Sequence, residues 1–233
     1  MQQRRAIDSD TTGTTEATGP FVAAVAIDSD LLDTRGRRLQ PTHRLRYRLS
    51  TTEGPDGPSV SVQFTAPPSE LGRGGAPEGL PGFRVLIDPK GVQLFDPQGN
   101  ALPTPPGLEQ LRSLTASARD MVLSKVPTER RTRLAEAHGR LSGRIRKLDR
   151  YVQVTGSRVL ETLVDPALAV PVELTLTDRG RRMSATRITY GTLPGNRLYR
   201  ARQIGETDRS VNGATPLREV TTTTLTPVTG GAQ

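Results

Sequence analysis

Short runs in which apolar and polar residues alternate dominate this sequence, and a period of two is the signature of half-buried β-strands. HRLRYRLS sets Leu45, Tyr47 and Leu49 against Arg44, Arg46 and Arg48, and SVSVQFTA repeats the pattern with Val60, Val62 and Phe64. FVAAVAID before them is the right length for a buried strand, and TEGPDGP between the two alternating runs supplies turn residues. FRVLIDPKGVQLF gives a further hairpin, Phe83 to Ile87 and Val92 to Phe95, folded over Asp88-Pro89-Lys90-Gly91. After Tyr151, five more runs follow: YVQVTG, RVLETLVD, VPVELTLTD, RMSATRITYG and NRLYRARQIG. Short turns separate them, as in an antiparallel meander.

Between the two sets of strands the period changes. Leu108, Leu111, Leu114, Ala118, Met121 and Val122 recur at helical spacing until Pro127, and Leu134, His138, Leu141, Ile145 and Leu148 recur at spacings of four and three after it. This predicts a helical pair at about 107–149, the second helix beginning near Thr128. Residues 1–19 are polar and Thr/Gly-rich, which predicts a disordered arm. Residues 20–210 are then a single domain and 211–233 a flexible tail, whose REVTTTTLTPV could add an edge strand. The Pro- and Gly-rich segment 66–82 is a long exposed loop.

Composition removes several classes of function. With no cysteine among 233 residues there is no disulfide framework, thiolate metal site or lipid-modified N-terminal cysteine, and two histidines cannot build a multi-histidine centre. Asp28, Asp30 and Asp33 are close in sequence, but Leu31 and Leu32 break the ligand spacing of a calcium loop, so a strand-ending turn is the simpler reading. No nucleophile elbow, zinc-protease helix or phosphate-cradling glycine loop is present, and the chain is expected to be noncatalytic, with no metal and no cofactor. His138 lies on the second helix's apolar stripe and is expected to pack there.

The formal charge of +8 rests on arginine, since only three of the 32 basic residues are lysines. From Glu129 to Arg150 eight basic residues stand against three acidic ones. Arg130, Arg131, Arg133, Arg140, Arg144, Arg146 and Lys147 are therefore candidates for an anion-binding patch, the alternative being a solvated helix face. That segment has no aromatic residue before Tyr151 to stack on a base, which argues against sequence-specific nucleic-acid recognition. No apolar run approaches a membrane span, and MQQRRAIDSD lacks the apolar region of a secretory signal.

Two segments, VLIDPKGVQLFDPQGN and ETLVDPALAVPVELTLTDRGRRMSATRITYG, resemble hairpin motifs of the bacterial periplasmic carriers of the outer-membrane lipoprotein-sorting family. The order of strands, helical pair and meander is similar to theirs as well. The resemblance implies an incomplete β-barrel closed by helices, an apolar cavity that receives lipid or lipoprotein acyl chains, and a periplasmic location, a cytoplasmic one remaining open without a visible signal. The chain has few aromatics to line such a cavity. The resulting expectation is an α+β fold, an antiparallel and strongly curved sheet covered by a central helical hairpin, in a monomer. Candidate ligand-binding residues are Leu45, Tyr47, Val62, Phe64, Val85, Leu94, Leu111, Met121, Leu141, Leu174 and Ile188, with a fully packed core as the alternative. The other functional reading is an envelope scaffold with a solid core, which binds an acidic partner protein or membrane surface through its basic helix.

Overall fold

A computed structural model describes residues 21–54, 57–65, 82–88, 90–104, 122–123, 127–209 and 216–228. Its strands are β1 (Phe21–Leu32), β2 (His43–Gly54), β3 (Gly57–Phe64), β4 (Arg84–Asp88), β5 (Gly91–Phe95), β6 (Ala101–Leu102), β7 (Val122–Leu123), β8 (Arg140–Ile145), β9 (Leu148–Thr155), β10 (Arg158–Asp165), β11 (Val170–Asp178), β12 (Arg181–Leu193), β13 (Arg197–Asp208) and β14 (Arg218–Pro227). One helix, α1 (Pro127–His138), lies between β7 and β8. All the strands join one sheet in the order β6-β5-β4-β3-β2-β1-β14-β13-β12-β11-β10-β9-β8, with β7 paired to the start of β13. Every pairing is antiparallel.

The sheet consists of two hairpin-linked meanders, β1 to β6 and β8 to β13, and β14 lies between them. It pairs with β1 from Ala23↔Pro227 to Leu32↔Arg218 and with β13 from Arg202↔Thr224 to Asp208↔Arg218. The flexible tail expected from residue 211 is therefore corrected for Arg218–Pro227, which form an interior strand. The run of β-branched threonines suits an extended backbone hydrogen-bonded on both sides.

The helical pair is also corrected, and with it the α+β class: the described structure is almost entirely antiparallel sheet, open between β6 and β8, and no half-barrel lies under a helical lid. The second expected helix stops at His138. Gly139 follows with φ +84° and donates its N–H to Ala135 O at 3.2 Å, a left-handed helix end, and a Cβ built there would come within 2.5 Å of Val152 O. The chain then runs into the β8–β9 hairpin. Leu141, Ile145 and Leu148 have helical spacing in sequence, but a bulge between Leu141 and Gly143 shifts the phase of β8, so Leu141 shares a face with Tyr151 while Ile145 and Leu148 pair across the turn on the other face. Of the first expected helix, Val122 belongs to β7 and residues 108–121 lie outside the described residues, as do the N-terminal arm and loop residues 66–81.

The main core gathers Phe21, Ala23, Val25, Tyr47, Leu49, Val60, Val62, Val85, Ile87, Val92 and Leu94 with Leu193 and Leu225. Cross-strand register makes this one face: Val25 stands opposite both Tyr47 and Leu225, Leu49 opposite Val62, and Val62 opposite Val85. A second, smaller cluster joins Leu134 of α1 to Val164, Ala169 and Tyr151.

Two substitutions test these assignments. Leu49 is fully buried, so Leu49→Ala should cost about 3 kcal/mol in chemical denaturation. Arg146 and Lys147 both have positive φ (49° and 71°) at the β8–β9 turn, where Asn-Gly is the unstrained pair. The double change Arg146→Asn, Lys147→Gly should raise stability by about 1 kcal/mol, seen as a higher denaturant midpoint at unchanged slope.

Candidate functional site: an apolar sheet face covered over half its width

Following the register outward from β1 places nine of the expected ligand-binding residues on one face. On the N-terminal side Leu45 and Tyr47 stand in line with Ile27 and Val25, Phe64 opposite Tyr47, and Val85 between Val62 and Leu94. Beyond β14 the same face continues through Thr223, Gln203 and Ile188, and through Thr221, Gly205, Thr186, Leu174, Thr162, Tyr151 and Leu141. Leu111 and Met121 lie outside the described residues.

These residues do not line one cavity. Tyr47, Val62, Val85 and Leu94 belong to the packed core, with Leu45 and Phe64 against it, so their space is filled, as the packed-core alternative required. The Tyr47 and Phe64 rings meet edge to face at 6.4 Å. Ile188 is buried, Leu174 is half-buried, and Leu141 is 60% exposed on the outermost strand, β8. Two residues absent from the sequence reading belong with Leu174: Leu160 and Leu176, opposite one another on β10 and β11 and half-buried on the same face. Alternation in RVLETLVD and VPVELTLTD is the signal that marks them. Between this leucine group and the main core runs a belt of short polar residues, including Ser184, Thr186, Gly205, Thr221 and Thr223.

At the far end of this face lies α1. Its Leu134 packs on Tyr151 and Val164, and His138 Nδ1 is 3.2 Å from the Oγ1 of the fully buried Thr162. Arg130 is buried and donates from Nε to Leu168 O at 2.8 Å; Arg131 donates to Pro166 O at 3.1 Å. Both arginines fasten the helix to the β10–β11 turn, where Asp165 Oδ1 accepts the N–H groups of Ala167 and Leu168. Burial pulls the Arg130 pKa below its ordinary value.

The expected anion patch is thus dispersed rather than displayed on one helix. Arg130 and Arg131 are occupied by carbonyls, Arg144 pairs with Asp149 at 2.7 Å, and Arg140, Arg146 and Lys147 stand exposed along β8 and its turn. The Arg133 side chain lies outside the described residues.

On the opposite face the alternation of β2 yields an arginine row. Arg46 pairs with Asp28 at 2.6 Å, Arg44 and Arg48 flank it, and Arg84 lies over the Phe95 ring at 4.7 Å. An open cleft of about 370 Å³ beside β12, β13 and β14 combines charged groups with Met183, Pro216 and Leu217; in it Glu206 accepts from Arg182 at 3.0 Å and from Arg218 at 3.5 Å.

Of the clustered aspartates, Asp33 accepts the N–H groups of Arg35 and Arg37, both at 2.8 Å, which closes the turn after β1. Hydrogen bonds from Thr42 and Arg38 hold the Asp30 carboxyl below its usual range against the opposing effect of burial. Among the described residues no group of three or more potential ligands could hold a metal ion, and no helix is long and apolar enough to cross a membrane. Compared with known proteins, the chain matches no protein-family model and no curated sequence.

Burial pushes the Tyr47 phenol up to about 12. The unfolded tyrosine ionises near pH 10, so its contribution to stability is complete below that pH and is lost as pH rises toward about 12. Tyr47→Phe should leave the neutral-pH melting temperature within a few degrees of wild type and move alkaline unfolding to higher pH, measured by circular dichroism across a pH series.

Proposed function

We propose that this protein is a noncatalytic binding protein or carrier for a lipid-like ligand, which lies along the sheet face formed by β10, β11 and β12. The observation that carries this reading is the mismatch between an apolar face and its cover. The main core is packed over β1 to β5, while Leu160, Leu174 and Leu176 on the same face remain half-buried between that core and α1. Three leucines on two adjacent strands, with Ile188 beside them, form an apolar strip onto which an acyl chain can add buried area at about 25 cal/mol per Å². The neighbouring Ser184 and Thr186, opposite Leu176 and Leu174, offer hydroxyls to a polar end of such a ligand. The helix bounds the strip on one side and is not a lid over it.

This reading keeps the ligand class that the lipoprotein-carrier resemblance implies and moves its site from an enclosed cavity to an open strip. It also agrees with the absence of a catalytic motif in the sequence, since retention of an acyl chain requires burial and no proton transfer.

Native mass spectrometry of protein purified under mild conditions from a bacterial envelope extract should reveal a bound acyl species. Leu174→Gln and Leu176→Gln should each weaken binding of a fluorescent fatty acid about tenfold, with a small change in melting temperature because neither residue belongs to the main core. A protein that repeatedly carries no acyl species and binds the fluorescent probe no better than the double variant would rule the reading out.

A further inference from the structure

The two ends of the sheet differ in a way that the lipid reading does not use. One end is β6, only two residues long; the other is β8, six residues long and exposed at every position. An outermost strand leaves about every second residue's N–H and C=O without a strand partner on its outer side. Such an edge is a template for any extended chain unless something blocks it.

Charge does part of that blocking. Arg140 and Arg144 lie on β8, Arg146 and Lys147 follow in its turn, and the bulge at Leu141 and Gly143 distorts the ladder. The nearest acid, Asp149, is taken by Arg144 at 2.7 Å, while Arg140, Arg146 and Lys147 make no ion pair among the described residues. A second copy of β8 would bring arginine against arginine, so self-pairing is opposed. Protection against every partner would not, however, leave Leu141 60% and Ile145 38% exposed on the strand. The turn is also strained: two cationic side chains sit at positive φ where Asn-Gly would cost less.

We infer that β8 is a docking edge for an extended acidic segment of another protein, which adds as a further antiparallel strand. Backbone hydrogen bonds supply the affinity, apolar side chains of the partner cover Leu141 on one face of the strand and Ile145 on the other, and its carboxylates meet Arg140, Arg146 and Lys147. The charge that excludes a second copy selects the acidic strand. This inference stands apart from the lipid reading and survives or fails without it.

The test uses the full chain and two synthetic peptides, one of Glu-Glu-Val-Val repeats and the other of Lys-Lys-Val-Val repeats, which present both residue types on both faces of a strand, with hydrogen exchange and fluorescence anisotropy as readouts. The acidic peptide should bind, weaken with added salt and slow exchange of outward amides between Arg140 and Ile145 about tenfold, and the basic peptide should do neither. Arg140→Glu should reduce affinity about tenfold at an unchanged melting temperature, because the side chain is exposed, and Ser142→Pro should abolish the exchange effect. Equal binding of both peptides, protection confined to other strands, or no binding of the acidic peptide overturns the inference. Protection of β8 by phosphatidylglycerol vesicles in place of the peptide also overturns it and assigns the edge to a membrane surface.

Discussion

Everything in this molecule hangs on the ladder that β14 makes on both of its sides. Each meander is a chain of local hairpins and could zip up by itself, but nothing in either one specifies how the two should be joined. The ten register pairs to β1 and seven to β13 fix that junction. They also decide which way the faces point, since a slip of one residue in either ladder would turn one meander's apolar side toward solvent. The apolar face that runs from β5 to β9 exists because β14 keeps both halves in phase.

Covering that face is done unevenly. The strands from β1 to β5 carry branched and aromatic side chains at consecutive register positions, and these form most of the buried core. Toward one end of β12 to β14 the same face turns to threonine, serine and glycine, while Leu193, Tyr199 and Leu225 toward the other end stay with the core. Ser29 donates to Glu219 at 2.8 Å and lies 3.1 Å from the Thr221 hydroxyl. Burial there would raise the Glu219 pKa, yet the hydrogen bonds from Ser29 and Arg209 and the nearby Arg209 and His43 charges leave it below its usual value. Ser29, Thr221 and Glu219 are therefore satisfied as they stand, and the belt they belong to separates the packed core from the leucines at this end of the strands. Buried Arg130 shows how firmly the second cluster is fixed, because a charge is kept out of water there by a carbonyl partner.

Much of the strand layout was legible because side-chain alternation is a local property: the two strands of the Asp88 hairpin and the five from Tyr151 to Gly205 occur where period two places them. The helical pair was not legible, since Leu141, Ile145 and Leu148 satisfy a helical spacing and a bulged hairpin equally. Only the left-handed Gly139, a backbone property, separates the two. The role of Arg218–Pro227 was hidden for another reason. Four threonines in a row have no amphipathic pattern, and an interior position depends on partners nearly two hundred residues away in the chain. Among the site residues, alternation marks which side chains of each expected strand share a face, but whether that face is filled is a matter of what packs above it, which no local pattern encodes. The anion patch disperses because its segment is helix only to His138 and hairpin beyond it.

The position of β14 in the chain also sets an order of assembly. It is synthesised after both strands it pairs with, so β1 and β13 must wait as open edges while the rest of the sheet forms. Contacts of such long sequence separation form late and slowly, and FVAAVAID in β1 carries no basic side chain to repel a stray strand. The nascent protein therefore passes through a stage with unpaired edges at the centre of its future sheet. How long that stage lasts, and what shields it, governs the yield of folded protein as much as the stability of the finished sheet does.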